Sequence, residues 1–202
     1  MNLWRGDKAL VLASQSRARQ MLLTNAGFAF EALPADIDER GAVAAMKLTD
    51  PAGIAQHLAR EKALHVSKVR LGHYVIGADQ TLALGAMQFN KPTGREQAAA
   101  QLKSLAGNTH ELLSAVSVAL NGQILFDHIA VARMTMRPMS ESAIDAYLDA
   151  AGERVTTSVG AYQLEGLGVH LFERIDGDHF TILGLPLPPL LNFLRGKGLL
   201  AF

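Results

Sequence analysis

The chain has 202 residues, 49% of them hydrophobic, which supports a sizeable core and suits one domain, or one domain with two lobes. Lys+Arg and Asp+Glu number 19 each, so the formal net charge is +0 and no global charge draws the chain to nucleic acid or an anionic membrane. Cysteine is absent, which excludes disulfides and thiolate zinc sites. With neither a signal-peptide pattern nor an apolar run near the roughly 20 residues of a membrane span, the expectation is a soluble cytoplasmic protein.

In chain order, Ala9–Ala13 reads as a buried strand. Ser16 can cap the helix that follows, with Ala18, Met21, Leu22 and Ala26 as its apolar stripe and Gly27 as a left-handed cap. FAFEAL is a strand. PADIDERGAVAAMKLTD reads as a long acidic connection, longer than most ordered loops. Asp50 and Pro51 open a helix to about Lys68, and YVIGAD is a buried strand. TLALGAMQF predicts a hairpin turning at Gly85–Ala86, and REQAAAQLKSLAG a helix closed by Gly107. Two long strands follow, joined at Asn121–Gly122, then a serine-capped helix over SESAIDAYLDAAG. GAYQLEGLGVHLFERIDGDHF is glycine-punctuated loop and strand, and LPLPPLLNFLRG is the last helix. Early alternation of strands and helices, with strands clustered later, predicts a mixed sheet flanked by helices.

Five places carry candidate chemistry. In LASQSRARQ, Ser14, Ser16 and the free N–H groups of a helix start stand beside Arg17 and Arg19, where the helix dipole disfavours cations. Either a phosphate docks there, or this is a solvated helix start with surface arginines. Lys62 falls in the middle of an apolar stripe, so it either snorkels to solvent or meets an anion. Asp79 is placed at the carboxyl end of a buried strand, as an active carboxylate or as the opening of a turn. With a two-residue turn at Gly85–Ala86, Lys91 in FNKP faces Gln80 with Asp79 one step away; the alternative is an ordinary strand end. Among Asp36, Asp38 and Glu39, Glu39 with Asp79 could supply the one or two carboxylates that magnesium takes; the alternative is a solvated loop. The seven histidines have no metal-ligand spacing and read as structural or surface residues. No P-loop and no dinucleotide fingerprint occurs.

The stretches LASQSRARQMLL, DIDE, AREKA, GADQ, NKP, LAGNTH, GAYQLEGLG, LFERIDGD and LGLPL, in that order, resemble the Maf family of septum-formation-inhibitor-like nucleoside triphosphate pyrophosphatases nearly end to end. The resemblance implies an elongated, twisted mixed sheet flanked by helices, with a central cleft between two lobes as in inosine triphosphatases. It also implies a homodimer, a Mg²⁺ or Mn²⁺ cofactor, and hydrolysis of the α–β phosphoanhydride to a monophosphate and pyrophosphate. It makes Asp79 the catalytic aspartate, with Lys91, Glu39, Lys62, Ser14 and Arg19 at other active-site positions. The family's serine-proline-arginine-arginine run is here Ser16-Arg17-Ala18-Arg19, so only the last arginine is in place.

Gln80 after the aspartate and Glu165 in the late glycine-rich loop resemble the branch acting on 7-methyl-GTP, rather than the branch acting on dTTP and UTP. A glutamate can accept from the N1–H and 2-amino group of guanine, whereas uracil and thymine present two carbonyls around one N–H. Ala18 fits neither branch and implies looser base selection. In the implied mechanism Glu39 and Asp79 hold the cation, Arg19, Lys62 and Lys91 neutralise phosphate, Ser14 adds a donor, and Asp79 is the general base. A different class of reading is a nucleotide-binding regulator of septum formation without catalysis.

Overall fold

A computed structural model describes residues 3–202. The elements are β1 (Leu10–Leu12), α1 (Arg17–Asn25), β2 (Phe30–Ala32), α2 (Glu39–Met46), α3 (Pro51–Val69), β3 (Val75–Leu84), β4 (Met87–Phe89) and α4 (Arg95–Leu105). They continue with β5 (Thr109–Leu120), β6 (Gln123–Met136), α5 (Glu141–Ala151), β7 (Phe172–Asp176), α6 (His179–Ile182) and α7 (Leu187–Gly196). Short 3₁₀ turns over Gly152–Thr156, Val159–Ala161 and Leu167–Leu171 join α5 to β7. The seven strands form one mixed sheet in the order β2-β1-β3-β5-β6-β7, with β4 on β3. β1 is parallel to both β2 and β3, while β3–β4 and β6–β7 are antiparallel. This is a mixed α/β fold, as the alternation of elements predicts. Among the described residues no helix is long and apolar enough to cross a membrane.

The chain packs as two compact units. One holds residues 3–80 with 114–130 and 179–202, and the other holds 81–113 and 131–178. Within the first, the two-residue period of the strands sorts side chains into two layers. Leu10 and Leu12 of β1, Ile76 and Ala78 of β3, and Val116 and Val118 of β5 pack with Leu22 and Leu23 of α1 and Leu190 and Leu194 of α7. On the opposite parity Val11, Ala13 and Val75 pack with Val66 of α3, and Ala115 packs with Ala55 and Ala59 of the same helix. Asp79 has the parity of Val75 and so belongs to the α3 face. In the second unit α4 packs on α5, and Leu102, Leu105, Leu148, Met134 and Met136 are fully buried.

Three expectations need correction. The acidic connection is not a loop: Glu39–Met46 is helical, because the Asp38 carboxylate accepts from the Gly41 N–H at 3.0 Å and caps it. Asp79 does not end its strand, since β3 runs on to Leu84. What ends is the neighbour: the last β1–β3 pair is Leu12↔Ile76, three positions before Asp79, so the strand edge opens there without a break in β3. In α1, Leu23 is buried and Met21 is exposed, because the helix turns its Leu22–Leu23 edge to the core.

Candidate active site

The segment after β1 answers why an arginine can sit in a helix's first turn. The Ser16 hydroxyl accepts from the Arg19 N–H at 3.4 Å, and the Ser14 hydroxyl accepts from the Ser16 N–H at 3.2 Å. The Arg19 side chain then leaves the helix. Its Nε donates to the Gly184 carbonyl at 2.7 Å, and its Nη1 to the Ala78 carbonyl at 2.8 Å and the Ser14 hydroxyl at 3.3 Å. Burial lowers its basicity from the ordinary value, while the charges of Asp79 and Glu39 support it; a guanidinium stays protonated under such a shift. Arg19 therefore ties three segments together and carries positive charge to the base of β3. Arg17 is exposed, and nothing in the structure explains it.

Lys62 neither snorkels nor waits for a ligand. It is 9% exposed, as is Asp79. Its Nζ lies 2.6 Å from Asp79 Oδ1 and 2.9 Å from Glu39 Oε1, so one ammonium bridges two carboxylates. Gly77, two residues before Asp79 on the same face, makes this possible. A Cβ there would stand 2.2 Å from the Ala59 carbonyl oxygen and 2.6 Å from the Ala63 nitrogen, so only glycine lets α3 come this close. Lys62 projects from the same stripe of α3 as Ala59 and Ala63. Glu39 is the first residue of α2, a helix that buries none of its own side chains, so its pair with Lys62 is a specific tie from that helix to α3.

Burial pushes the Asp79 carboxyl above the usual carboxylate range. The charges of Lys62 and then Arg19, and the hydrogen bond from Lys62, pull it back without cancelling the effect. The raised value brings a carboxylate closer to useful basicity near neutral pH.

Gln80 points to the other face, as its parity requires. Its amide nitrogen lies 2.8 Å from the Ser114 hydroxyl, 3.1 Å from the Thr181 carbonyl and 3.0 Å from the Ile182 carbonyl. Ser114 itself donates to the Thr181 carbonyl at 2.7 Å. The nitrogen is thus committed to the scaffold, and Oε1 is the atom left to accept from outside it. Sequence reading missed Ser114, Thr181 and Gly184 as supports. Ser114 was accessible in principle, since it shares the parity of Val116 and Val118; the carbonyl acceptors carry no side-chain signal.

Ala18 is half-buried against the first unit's core. Lys91 and Glu165 belong to the second unit and are exposed. The hairpin register follows Leu84↔Met87, Ala83↔Gln88 and Leu82↔Phe89, and Lys91 lies two residues past the last pair. The structure thus joins Ser14 and Arg19 in one group and Lys62, Asp79 and Glu39 in another, with the Arg19 charge acting on Asp79.

Among the described residues, no three histidine, aspartate or glutamate side chains gather as a metal cluster. Two carboxylates that reach the same ammonium do fit a hard dication, which takes one or two carboxylates and completes its shell with water and phosphate.

A mixed α/β sheet carries a buried aspartate and an exposed glutamate bridged by one buried lysine, beside a serine–arginine helix start. The chain belongs to the Maf family: the description Maf-like protein matches residues 9–197. A nucleoside triphosphate pyrophosphatase of Bradyrhizobium diazoefficiens is 68% identical over 201 residues, covering 100% of both chains. A 7-methyl-GTP pyrophosphatase of Rhizobium meliloti is 48% identical over 191 residues, 94% of this chain and 96% of that one. Among solved structures, a HAM1 protein from Coxiella burnetii aligns with TM-score 0.42 and 16% identity over 63% of this chain and 72% of that one.

Proposed function

We propose that this chain is a nucleoside triphosphate pyrophosphatase that cleaves the α–β phosphoanhydride, with 7-methyl-GTP or a similar modified guanine nucleotide as substrate. The observation that carries the reading is the Lys62 ammonium held between Asp79 and Glu39, at 2.6 and 2.9 Å. Full-length similarity to proteins named for this activity supports it. Asp79 takes the proton of the attacking water as the new P–O bond forms, the anhydride P–O bond breaks and pyrophosphate leaves. Lys62 and Arg19 are the cations placed to offset phosphate charge, Lys91 adds a third, and Ser14 adds a hydroxyl donor. Glu39 and Asp79 would hold a Mg²⁺ or Mn²⁺ ion, which when bound supplies charge neutralisation and a more acidic water. Glu165 would accept from the guanine N1–H and 2-amino group, with Gln80 Oε1 as a further acceptor. The family resemblance supports a homodimer, checked by light scattering, and the absence of cysteine supports a reducing cytoplasmic setting.

The test is pyrophosphate release across a nucleotide panel, with and without EDTA. Release from 7-methyl-GTP should exceed release from dTTP and stop on chelation. Asp79→Asn should lower turnover by about 10²–10⁴-fold, the usual contribution of a positioned base, while nucleotide still binds by calorimetry. Near-full turnover in that variant would remove Asp79 from its role. A preference for dTTP would place the chain in the pyrimidine branch, and no release from any nucleotide would favour a binding-only regulator.

A further inference from the structure

The segment that carries Glu165 is launched from a strained and heavily braced turn. Gly160 has φ +77°, and Ala161, which is fully buried, has φ +60°, so two successive residues are left-handed and one of them has a Cβ. Such a pair persists only where its surroundings over-determine it. Here the bracing converges on the next residue. Tyr162 is buried, its hydroxyl lies 2.7 Å from His110 Nε2, and its ring packs edge-on to Phe172 at 4.8 Å between centroids. The Ser158 hydroxyl donates to the Tyr162 carbonyl, and the Tyr147 hydroxyl donates to the Ala161 carbonyl at 3.2 Å.

From Tyr162 the chain enters a turn closed on a single atom. The Gln163 carbonyl accepts from the Gly166 N–H at 3.2 Å and the Gly168 N–H at 3.1 Å, with Glu165 between them at the exposed tip. The Gln163 side chain is in turn tied to the Thr157 hydroxyl at 2.8 Å. Glu165 makes no ion pair among the described residues, so its place is set by this backbone and not by a partner of its own. His110 is 0% exposed, and its Nδ1 has no hydrogen-bond partner among the described residues. The hydrogen bond of its ring among the described residues is the one between Nε2 and the Tyr162 hydroxyl.

We propose that His110 and Tyr162 are positioning residues for nucleotide selection: their buried hydrogen bond pins the left-handed turn at 160–161 and thereby places the Glu165 carboxylate. The pair touches no substrate and acts through the backbone. The inference rests on the reading that Glu165 contacts the base.

The test compares Glu165→Gln, Tyr162→Phe and the double variant, with kcat and KM measured for 7-methyl-GTP and for GTP, together with thermal stability. Glu165→Gln should lower the ratio of kcat/KM for 7-methyl-GTP over GTP. Tyr162→Phe should lower the same ratio about 2- to 10-fold, the span of one neutral hydrogen bond, through KM rather than kcat. The double variant should show no further fall in the ratio than Glu165→Gln alone, because both act through one carboxylate. A bond that served folding alone would lower the melting temperature and leave the ratio untouched. A ratio lowered by Glu165→Gln but unchanged by Tyr162→Phe overturns the positioning role alone. A ratio unchanged by Glu165→Gln overturns the base-contact reading, and the inference with it. Should Tyr162→Phe fail to fold, Tyr147→Phe removes the neighbouring brace on Ala161, and an unchanged ratio there overturns the proposal in the same way.

Discussion

Asp79 and His110 are buried ionisable side chains, one in each unit, and they are accommodated by opposite means. Asp79 is surrounded by charge: an ammonium at 2.6 Å, a guanidinium network, and a second carboxylate on the far side of Lys62. His110 is surrounded by aromatic rings, those of Tyr162 and Phe172, and burial drives its pKa down to about 4. One region keeps charge in a shielded place by pairing it; the other removes the charge. Pairing leaves a carboxylate held between cations, whereas neutralisation leaves an uncharged ring held by a hydrogen bond and aromatic packing. The difference separates two ways of burying an ionisable group, one by pairing and one by neutralisation.

The largest expected effect on stability comes from breaking the paired region. Lys62→Met would leave Asp79 with its burial and without its closest cation, and should cost about 3–5 kcal/mol in urea unfolding. Adding Asp79→Asn to that variant should restore part of the loss, because the uncompensated charge is then gone. Wild-type stability in Lys62→Met alone would show that Asp79 does not depend on the lysine.

The neutralised region should reveal itself through pH. A histidine with an ordinary value of 6.5 and a folded value of about 4 is protonated in the unfolded chain before it is protonated in the native one. Its contribution is therefore fully present above about pH 6.5 and is lost as pH falls toward 4, a change on the order of 3 kcal/mol. Stability measured between pH 7 and 4 should fall less steeply in His110→Gln than in the wild type. Equal slopes would mean that His110 is not neutral in the native state.

Gly77→Ala sharpens the comparison by moving the lysine without touching a charge. The added methyl would meet backbone of α3 at 2.2 and 2.6 Å, so the helix must shift. A loss of about 1–3 kcal/mol is expected. Turnover should also fall under conditions where the variant is fully folded, since Lys62 moves with the helix. Retained turnover would show that the site tolerates displacement of α3.

The smallest effect belongs to charge pairs left in water. Arg95 pairs with Asp149 at 2.8 Å and Asp145 at 3.4 Å, and its side chain is 49% exposed. Arg95→Ala should change stability by less than about 1 kcal/mol. A larger loss in chemical denaturation would mean that pairing at the surface matters here as it does around Asp79.

Much was legible from residue order alone. Alternation along the strands, Ser16 and Ser140 as caps, and Asn121–Gly122 as a left-handed turn are local properties, and local patterns survive without tertiary information. The placement of Lys62 on an apolar stripe was equally local, but it left open whether the lysine snorkels or meets an anion; in the fold it meets two carboxylates. The long acidic connection misled because its short helix buries none of its side chains and is tied down by the Asp38 cap and the Glu39–Lys62 pair, the second of which lies outside the local sequence. The strand through Asp79 misled for a related reason: where β1 stops is a property of β1, and it left no mark on β3.

By itself, then, the sequence determined most of the elements, though not α2 or the full length of β3, together with the parity that sends Asp79 to one face of the sheet and Gln80 to the other, and the resemblance to the family the chain belongs to. Only the tertiary structure decided that Lys62 bridges two carboxylates, that Arg19 is held by the carbonyls of Ala78 and Gly184, and that a buried histidine–tyrosine bond braces the turn before Glu165. Each of those contacts joins residues distant in the chain, and two of them end on backbone oxygens that every residue possesses. Residue identity therefore cannot single them out, and only the folded path of the chain selects which oxygen is reached.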